Sequence, residues 1–323
     1  MLEDELKKYI KDENISETKT TDNNFDIKLK EHPICELTYH TNRVLCLILL
    51  NDGRIASCSY DKSIIIYNKS TYKPDLIIKE HSDHINSLTQ LTSGILASCF
   101  NDKTIKVFNI NGNNYNVLQT LSHHTSSVYK IIELKNNQLA SCSADSSISV
   151  YFKENNEYKI DYKITTNGSC SSVIQTKNNE ICYSEATNNG ICFFDIMERK
   201  KIKTIENISK SNDQWEAMLM ITEDLLFVGG ENKISIINVN QHNLIRVIDA
   251  PGSSWISAVC LLNENTLLTG DYSEIIKQWK IEGDNLILTS KKEKTHNHDI
   301  GSLLYLGYGK FASASDDKTI RIW

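Results

Sequence analysis

Proline and glycine are scarce in this chain. Three prolines and 13 glycines among 323 residues amount to about 1 % and 4 %, against usual values near 5 % and 7 %. Collagen-like, proline-rich and Gly/Ser low-complexity architectures are therefore excluded for the bulk of the chain. The same scarcity argues, at first sight, against an all-β fold, because tight turns normally draw on these two residues. If strands dominate, Asn, Asp, Ser and Lys must make the turns. Long apolar runs are missing as well. The longest, Val44-Leu45-Cys46-Leu47-Ile48-Leu49-Leu50, is far short of the ~20 residues that span a bilayer as a helix. The first residues, MLEDELKKYIKDEN, lack the apolar core of a secretory signal. There is no basic excess either: 35 Lys and Arg face 41 Asp and Glu, a net charge of −6. A surface that neutralises phosphates usually carries such an excess, so nucleic acid and anionic membrane are poor candidate partners. The nine cysteines are an odd number and form no C-x-x-C pair. They read as reduced core thiols of an intracellular protein, with the cytoplasm as the expected location.

What the chain does contain is a repeat. RIASCSYDKSIIIYN from Arg54, ILASCFNDKTIKVFN from Ile95 and QLASCSADSSISVYF from Gln138 are nearly one sentence, and KFASASDDKTIRIW from Lys310 closes the chain. Weaker copies begin at Glu180, Leu225 and Leu267. Measured at the turn residue, the copies fall at Asp61, Asp102, Asp145, Asn188, Glu231, Ser273 and Asp317, with spacings of 41, 43, 43, 43, 42 and 44. Seven copies at this period match the size of a four-stranded propeller blade. In the first unit VLCLILL, RIASCS, SIIIYN and DLIIKE read as strands a to d, joined first by an Asn51-Asp52-Gly53 hairpin turn. No helical period interrupts the repeats, which excludes βαβ architectures.

These residues resemble the WD-repeat (WD40) β-propeller family over roughly residues 34–323. The resemblance implies an all-β, seven-bladed propeller of four-stranded antiparallel blades. It also implies a structural tetrad: a His before strand a, a Ser in strand b, an Asp in the b–c turn and a Trp ending strand c. The matching sets are His40, Ser57 and Asp61; His81, Ser98 and Asp102; His124, Ser141 and Asp145; and His296, Ser313, Asp317 and Trp323. Each His precedes its Asp by 21 residues. Trp279 ends strand c in a unit whose His position is Gly252. The last unit lacks a strand d of its own, and the stretch from Ile34 to Tyr39 is a strand without a unit. The family's usual closure docks such an N-terminal strand into the last blade, which leaves no open edge.

Ser57, His40 and Asp61 are the residue types of a hydrolase triad. An active site occurs once, however, and this set recurs four times without a G-x-S-x-G elbow. The hydrogen-bonded structural reading is preferred, no catalytic residue is assigned, and an enzyme is not expected. The pairs His123–His124 and His296–His298 lack the further converging ligands a metal needs. Neither a metal nor a cofactor is expected. Cys58, Cys99 and Cys142 recur at one strand-b position, as small core residues.

Two regions bear on partners. Residues 1–33 stand apart from the propeller as a tail in which Leu2, Leu6, Tyr9 and Ile10 would share one face of a short helix; it reads either as a solvated tail with a frayed helix or as an amphipathic docking helix for a partner groove. Family members commonly receive partners on the face of the d–a loops and b–c turns. By the repeat register that face carries Arg43, Tyr60, Tyr129, Trp215, Trp255 and Tyr272. Aromatic and Arg side chains dominate binding energy where they are exposed, so these six are the candidate partner-binding residues; a plainer reading is sequence drift in the degenerate units. The leading expectation is a non-catalytic scaffold that binds protein or peptide partners on this face within a larger complex, with no small-molecule substrate. The alternative is a substrate-recognition subunit of a ubiquitin-ligase or kinase assembly, in which the tail contacts an adaptor. The least favoured is a hydrolase using the Ser/His/Asp set.

Overall fold

The computed structural model describes residues 29–176, 179–187, 190–208 and 217–323. Every regular element among them is a strand, and the 28 strands form seven four-stranded antiparallel sheets. Each sheet is one repeat unit, a blade. The innermost strands are Val44–Leu49, Ile85–Gln90, Val128–Glu133, Val173–Gln175, Met218–Met220, Ile256–Asn263 and Ile300–Gly307. In the last blade the order is Ile300–Gly307, Lys310–Ser315, Ile320–Ile322 and then Cys35–Leu37 from the N-terminal side. Cys35 pairs with Ile322, Glu36 with Arg321 and Leu37 with Ile320. The Arg321 Nε donates to Glu36 Oε2 across that seam at 2.7 Å. The ring is closed by this strand, as the family resemblance implied.

Burial explains why the strands read as they do. The second strand of each blade is pressed between neighbouring blades, so Ile55–Ser59, Leu96–Phe100 and Leu139–Ser143 are buried at every position. Small and apolar residues fill them without alternation, as a strand covered on both faces requires. Outer strands such as Asn114–Leu121 are exposed at alternate or consecutive positions and are correspondingly polar. The apolar core is divided into seven clusters, each shared by two adjacent blades. One of them joins Leu37, Ala312, Ile320 and Ile322 to Val44, Leu47, Ile55 and Tyr67, and so seals the last blade against the first.

The turns show how the fold dispenses with glycine. At the a–b turns Gly53 and Gly94 take positive φ, and Asn137 takes it at the same place in the third blade. Asparagine tolerates that conformation at modest cost. At the b–c turns the left-handed residue is Lys62, Lys103, Ser146 or Lys318. An L-residue there is strained, and the preceding Asp compensates. Asp61 Oδ1 accepts from the Ser63 amide at 2.9 Å, and Asp317 Oδ1 from the Thr319 amide at 3.0 Å. Lysine therefore holds a left-handed position that favours glycine, secured by a side-chain cap.

Candidate functional site

The repeated Ser–His–Asp set forms as hydrogen bonds inside three blades. His40 contacts Asp61 Oδ2 through Nδ1 at 2.7 Å and Ser57 Oγ through Nε2 at 2.6 Å. His124 does the same with Asp145 and Ser141, both at 2.8 Å. His296 reaches Asp317 at 3.0 Å and Ser313 at 2.6 Å, and Trp323 Nε1 donates to the same Ser313 oxygen at 2.9 Å. Burial alone would raise the Asp145 carboxyl, yet bonds from Ser147, the Thr125 amide and His124 bring it down to about 2. Asp61 and Asp317 are likewise held well below the usual carboxylate range against the cost of burial, with the His bond and charge as the main cause. Ser57, Ser141 and Ser313 have no exposed surface. A hydroxyl so placed ties strand to loop and offers nothing to a substrate.

The second blade departs from the expected pattern. His81 is stacked on Phe100, its Nδ1 has no hydrogen-bond partner, and its Nε2 lies 3.5 Å from Ser98. Asp102 turns instead to the Ser82 hydroxyl at 3.2 Å and to Thr104. The cause is one residue that the sequence reading passed over. Two places before the turn Asp, the other blades carry Ser59, Ser143 and Ser315. Their hydroxyls accept the Asp amide and donate to the incoming loop, as Ser59 does to the Asn42 carbonyl at 3.1 Å. Phe100 occupies that place in blade 2 and its ring takes the face of the imidazole. Burial, with the charge of Lys106, pushes the His81 pKa down to about 2.

The degenerate blades substitute other buried polar pairs. In blade 6, Trp279 Nε1 donates to Thr269 Oγ1 at 2.9 Å, as Trp323 does to Ser313. Lys277, fully buried, donates to Ser253 and lies 3.8 Å from Asp271. In blade 4 the buried Glu185 accepts from Lys201 at 3.0 Å and from the Asn167 amide at 3.1 Å. Among the described residues no three His, Cys, Asp or Glu side chains converge as a metal site.

The concave site lies where the inner strands converge, and a repeated irregularity builds it. Five inner strands carry a bulge at the same place, which drops Leu45, Asn86, Tyr129, Ser257 and Gly301 from the ladder. A bulge re-aims the residue it releases. All five line one central cavity of about 480 Å³. Gly301 suits the close approach there, because a Cβ would stand only 3.0 Å from the Val44 carbonyl oxygen.

The rim has its own register. The residue before each turn donates its amide to the carbonyl of the residue three after the His position: Tyr60 to Arg43, Asn101 to His84, Ala144 to Ser127, Tyr272 to Trp255 and Asp316 to Asp299. Arg43 forms an ion pair with Asp316 at 2.9 Å and lies over the Tyr60 ring at 5.7 Å. The desolvation of Asp316 raises its pKa in spite of Arg43.

Of the six expected partner-binding residues, Arg43, Tyr60, Tyr129 and Tyr272 line the cavity, with Tyr272 43 % exposed. Trp255 requires correction: it is 6 % exposed and does not line the cavity. Its loop is tied to the neighbouring blade by a Glu231–Trp255 backbone bridge and by the Asn232 amide, which donates to the Ser254 carbonyl at 2.9 Å. Trp215, and Leu2, Leu6, Tyr9 and Ile10 of the tail, lie outside the described residues. The sequence reading missed Asp316 and Asp299 as rim charges, although the repeat register already put them at the two rim positions.

A comparison with curated proteins finds no match. A comparison with family models matches the WD domain, G-beta repeat, at residues 31–68, 72–109, 115–151 and 289–323. The matched stretches belong to the blades that carry the His and turn Asp, and the three degenerate blades complete the same ring. With four such repeats in a closed seven-bladed propeller, the chain belongs to the WD40 β-propeller family.

Proposed function

We propose that this protein is a non-catalytic scaffold whose protein or peptide partner docks at the mouth of the central cavity. WD40 propellers generally serve as protein-interaction scaffolds. One observation carries the finer reading: five bulges turn residues of five blades toward one cavity rimmed by Tyr60, Tyr129, Tyr272, Arg43 and Asp316. Aromatic and Arg side chains around a concave, mixed-charge rim are the kind that anchor a partner. The burial of Ser57, Ser141 and Ser313 supports the non-catalytic part. Nine cysteines, all standing as thiols, support a reducing, cytoplasmic setting.

Partners captured on the immobilised full chain, measured again with the double variant Tyr129→Ala/Tyr272→Ala, test this. We expect at least a tenfold loss of affinity, about 1.4 kcal/mol, with the β-sheet circular dichroism unchanged. The outer-strand variant Ile77→Ala should retain full affinity. Equal capture by the double variant and the parent would remove the cavity mouth as the site.

A further inference from the structure

Thiols recur around the inner strands, and at one place the strand register sets two of them face to face. Cys46, on the innermost strand of blade 1, is the direct antiparallel partner of Cys58 on the next strand. In the other described ladders the residue opposite a cysteine is of another type, as with Ser87 opposite Cys99 and Lys130 opposite Cys142. Cys46 and Cys58 share one packed cluster with Ile85 and Leu88 of blade 2. The Cys58 Sγ lies 3.5 Å from the Ile85 carbonyl oxygen, to which its thiol donates. Access to the two differs. Cys46 is partly exposed and lines the central cavity, whereas Cys58 has no exposed surface.

We infer that Cys46 and Cys58 form a redox-responsive pair in which a hydroperoxide entering the central cavity oxidises Cys46 and Cys58 resolves it as a cross-strand disulfide. This goes beyond the scaffold reading and does not depend on which partner binds. Opposed residues of an antiparallel pair hold their Cβ atoms about 4.5–5.5 Å apart, and a disulfide needs about 3.5–4.5 Å. Closure by about 1 Å suffices, next to the bulge at Leu45 where the ladder is already irregular.

The chemistry proceeds in two balanced steps. The Cys46 thiolate attacks the peroxide; an S–O bond forms, the O–O bond breaks, and the departing oxygen leaves as alcohol or water after taking a proton. The Cys58 sulfur then attacks the sulfenic sulfur, the S–S bond forms, the S–O bond breaks, and water leaves with the Cys58 proton. Two thiols lose two electrons and the peroxide gains them. The surroundings also favour the first step: neighbouring Cys58, the Leu88 backbone and the charge of Lys130 hold the Cys46 thiol below its ordinary pKa against the cost of burial. Nucleophilic attack by sulfur requires the thiolate. Cys142 and Cys170 also share one packed cluster but have no exposed surface. They serve as an internal control for access.

Hydrogen peroxide applied to the intact folded protein, followed by alkylation, trypsin and mass spectrometry, tests the pair. Trypsin cuts after Arg43, Arg54 and Lys62, so Cys46 lies in peptide 44–54 and Cys58 in peptide 55–62, each the sole cysteine of its peptide. We expect the two peptides joined with the loss of two hydrogens, and separated again by a thiol reductant. Alkylation of Cys46 should slow at least tenfold after oxidation, with Cys142 and Cys170 unchanged. In Cys58→Ser the Cys46 sulfenic acid should persist and be trapped by a 1,3-dione; in Cys46→Ser, Cys58 should stay reduced. Absence of the joined peptide while Cys46 stays alkylatable, or its appearance only after unfolding in urea, overturns the inference. So does oxidation of Cys46 directly to the sulfinic acid in the parent protein.

Discussion

His40 and His81 hold the same place in the repeat and live in different chemistry. The first is bonded at both ring nitrogens, whereas the second is stacked on Phe100 with Nδ1 unpaired. A double-mutant cycle removing His40 and Asp61 should give a coupling of about 1–2 kcal/mol, as befits a buried charge-assisted bond. The cycle on His81 and Asp102 should give less than about 0.5 kcal/mol. Urea unfolding of the four proteins measures both, and equal couplings would contradict the geometry. The acid response follows from the same residues. His81 is held neutral, so its folded pKa of about 2 lies below its unfolded value of about 6.5. A depressed pKa contributes stability that is present above the unfolded value and is lost as pH falls. Loss should therefore begin below about pH 6.5, at a slope of up to ~1.4 kcal/mol per pH unit from this group. His124, lowered by burial, acts in the same direction. The depressed carboxyls of Asp61, Asp145 and Asp317 add a second loss below about pH 4. His81→Leu should flatten the slope between pH 7 and 5 by about one proton, and an unchanged slope would show that His81 is not the group responsible.

At the scale of a strand, the inner-strand bulge links packing to the site. Without it, Leu45, Asn86 and Tyr129 would alternate with the core positions and point between blades; with it they face the cavity. The approach of blades 7 and 1 at this level would set a Cβ at Gly301 in tight contact, 3.0 Å from the Val44 carbonyl oxygen. The obstruction is backbone, which cannot swing aside as a side chain can. Gly301→Ala should cost about 1–3 kcal/mol, read as a lowered denaturation midpoint at unchanged m-value. Gly283, with nothing near its Cβ position, has no such obstruction. The strand periodicity was legible in the sequence because burial on both faces leaves an unbroken small-apolar run such as IASCS. The bulges were not legible, because residues such as Leu45 and Tyr129 look like ordinary strand members until their partners' register is known.

For the whole molecule the decisive joint is the last blade, where Cys35–Leu37 supplies the outer strand and Leu37 is buried at 5 % exposure. Leu37→Glu places an unpaired charge in the cluster that seals blade 7 to blade 1. A loss of about 3 kcal/mol or more is expected. The freed edge of Ile320–Ile322 then offers unpaired backbone groups to other chains. Calorimetry should show the fall in Tm, and sedimentation the onset of self-association in proportion to the open fraction. A variant that stays as stable as the parent and monomeric would show that this strand is dispensable.

The local sequence by itself determined the blade count, the strand order within a blade and the Ser–His–Asp sets of blades 1, 3 and 7. Each depends on residues within one repeat of about 43 positions, and the pattern recurs often enough to reveal its own register. Low glycine was compatible with so many turns because Asp side chains cap the left-handed positions held by Lys and Ser. Only the tertiary structure decided which rim residues reach the cavity. Tyr272 does and Trp255 does not: it is buried where its loop pairs with the neighbouring blade. Tertiary structure also decided that Phe100 disables the network of blade 2 and that Cys46 meets Cys58. These outcomes depend on strand register and on the packing of one blade against the next, relations between residues that no single repeat contains.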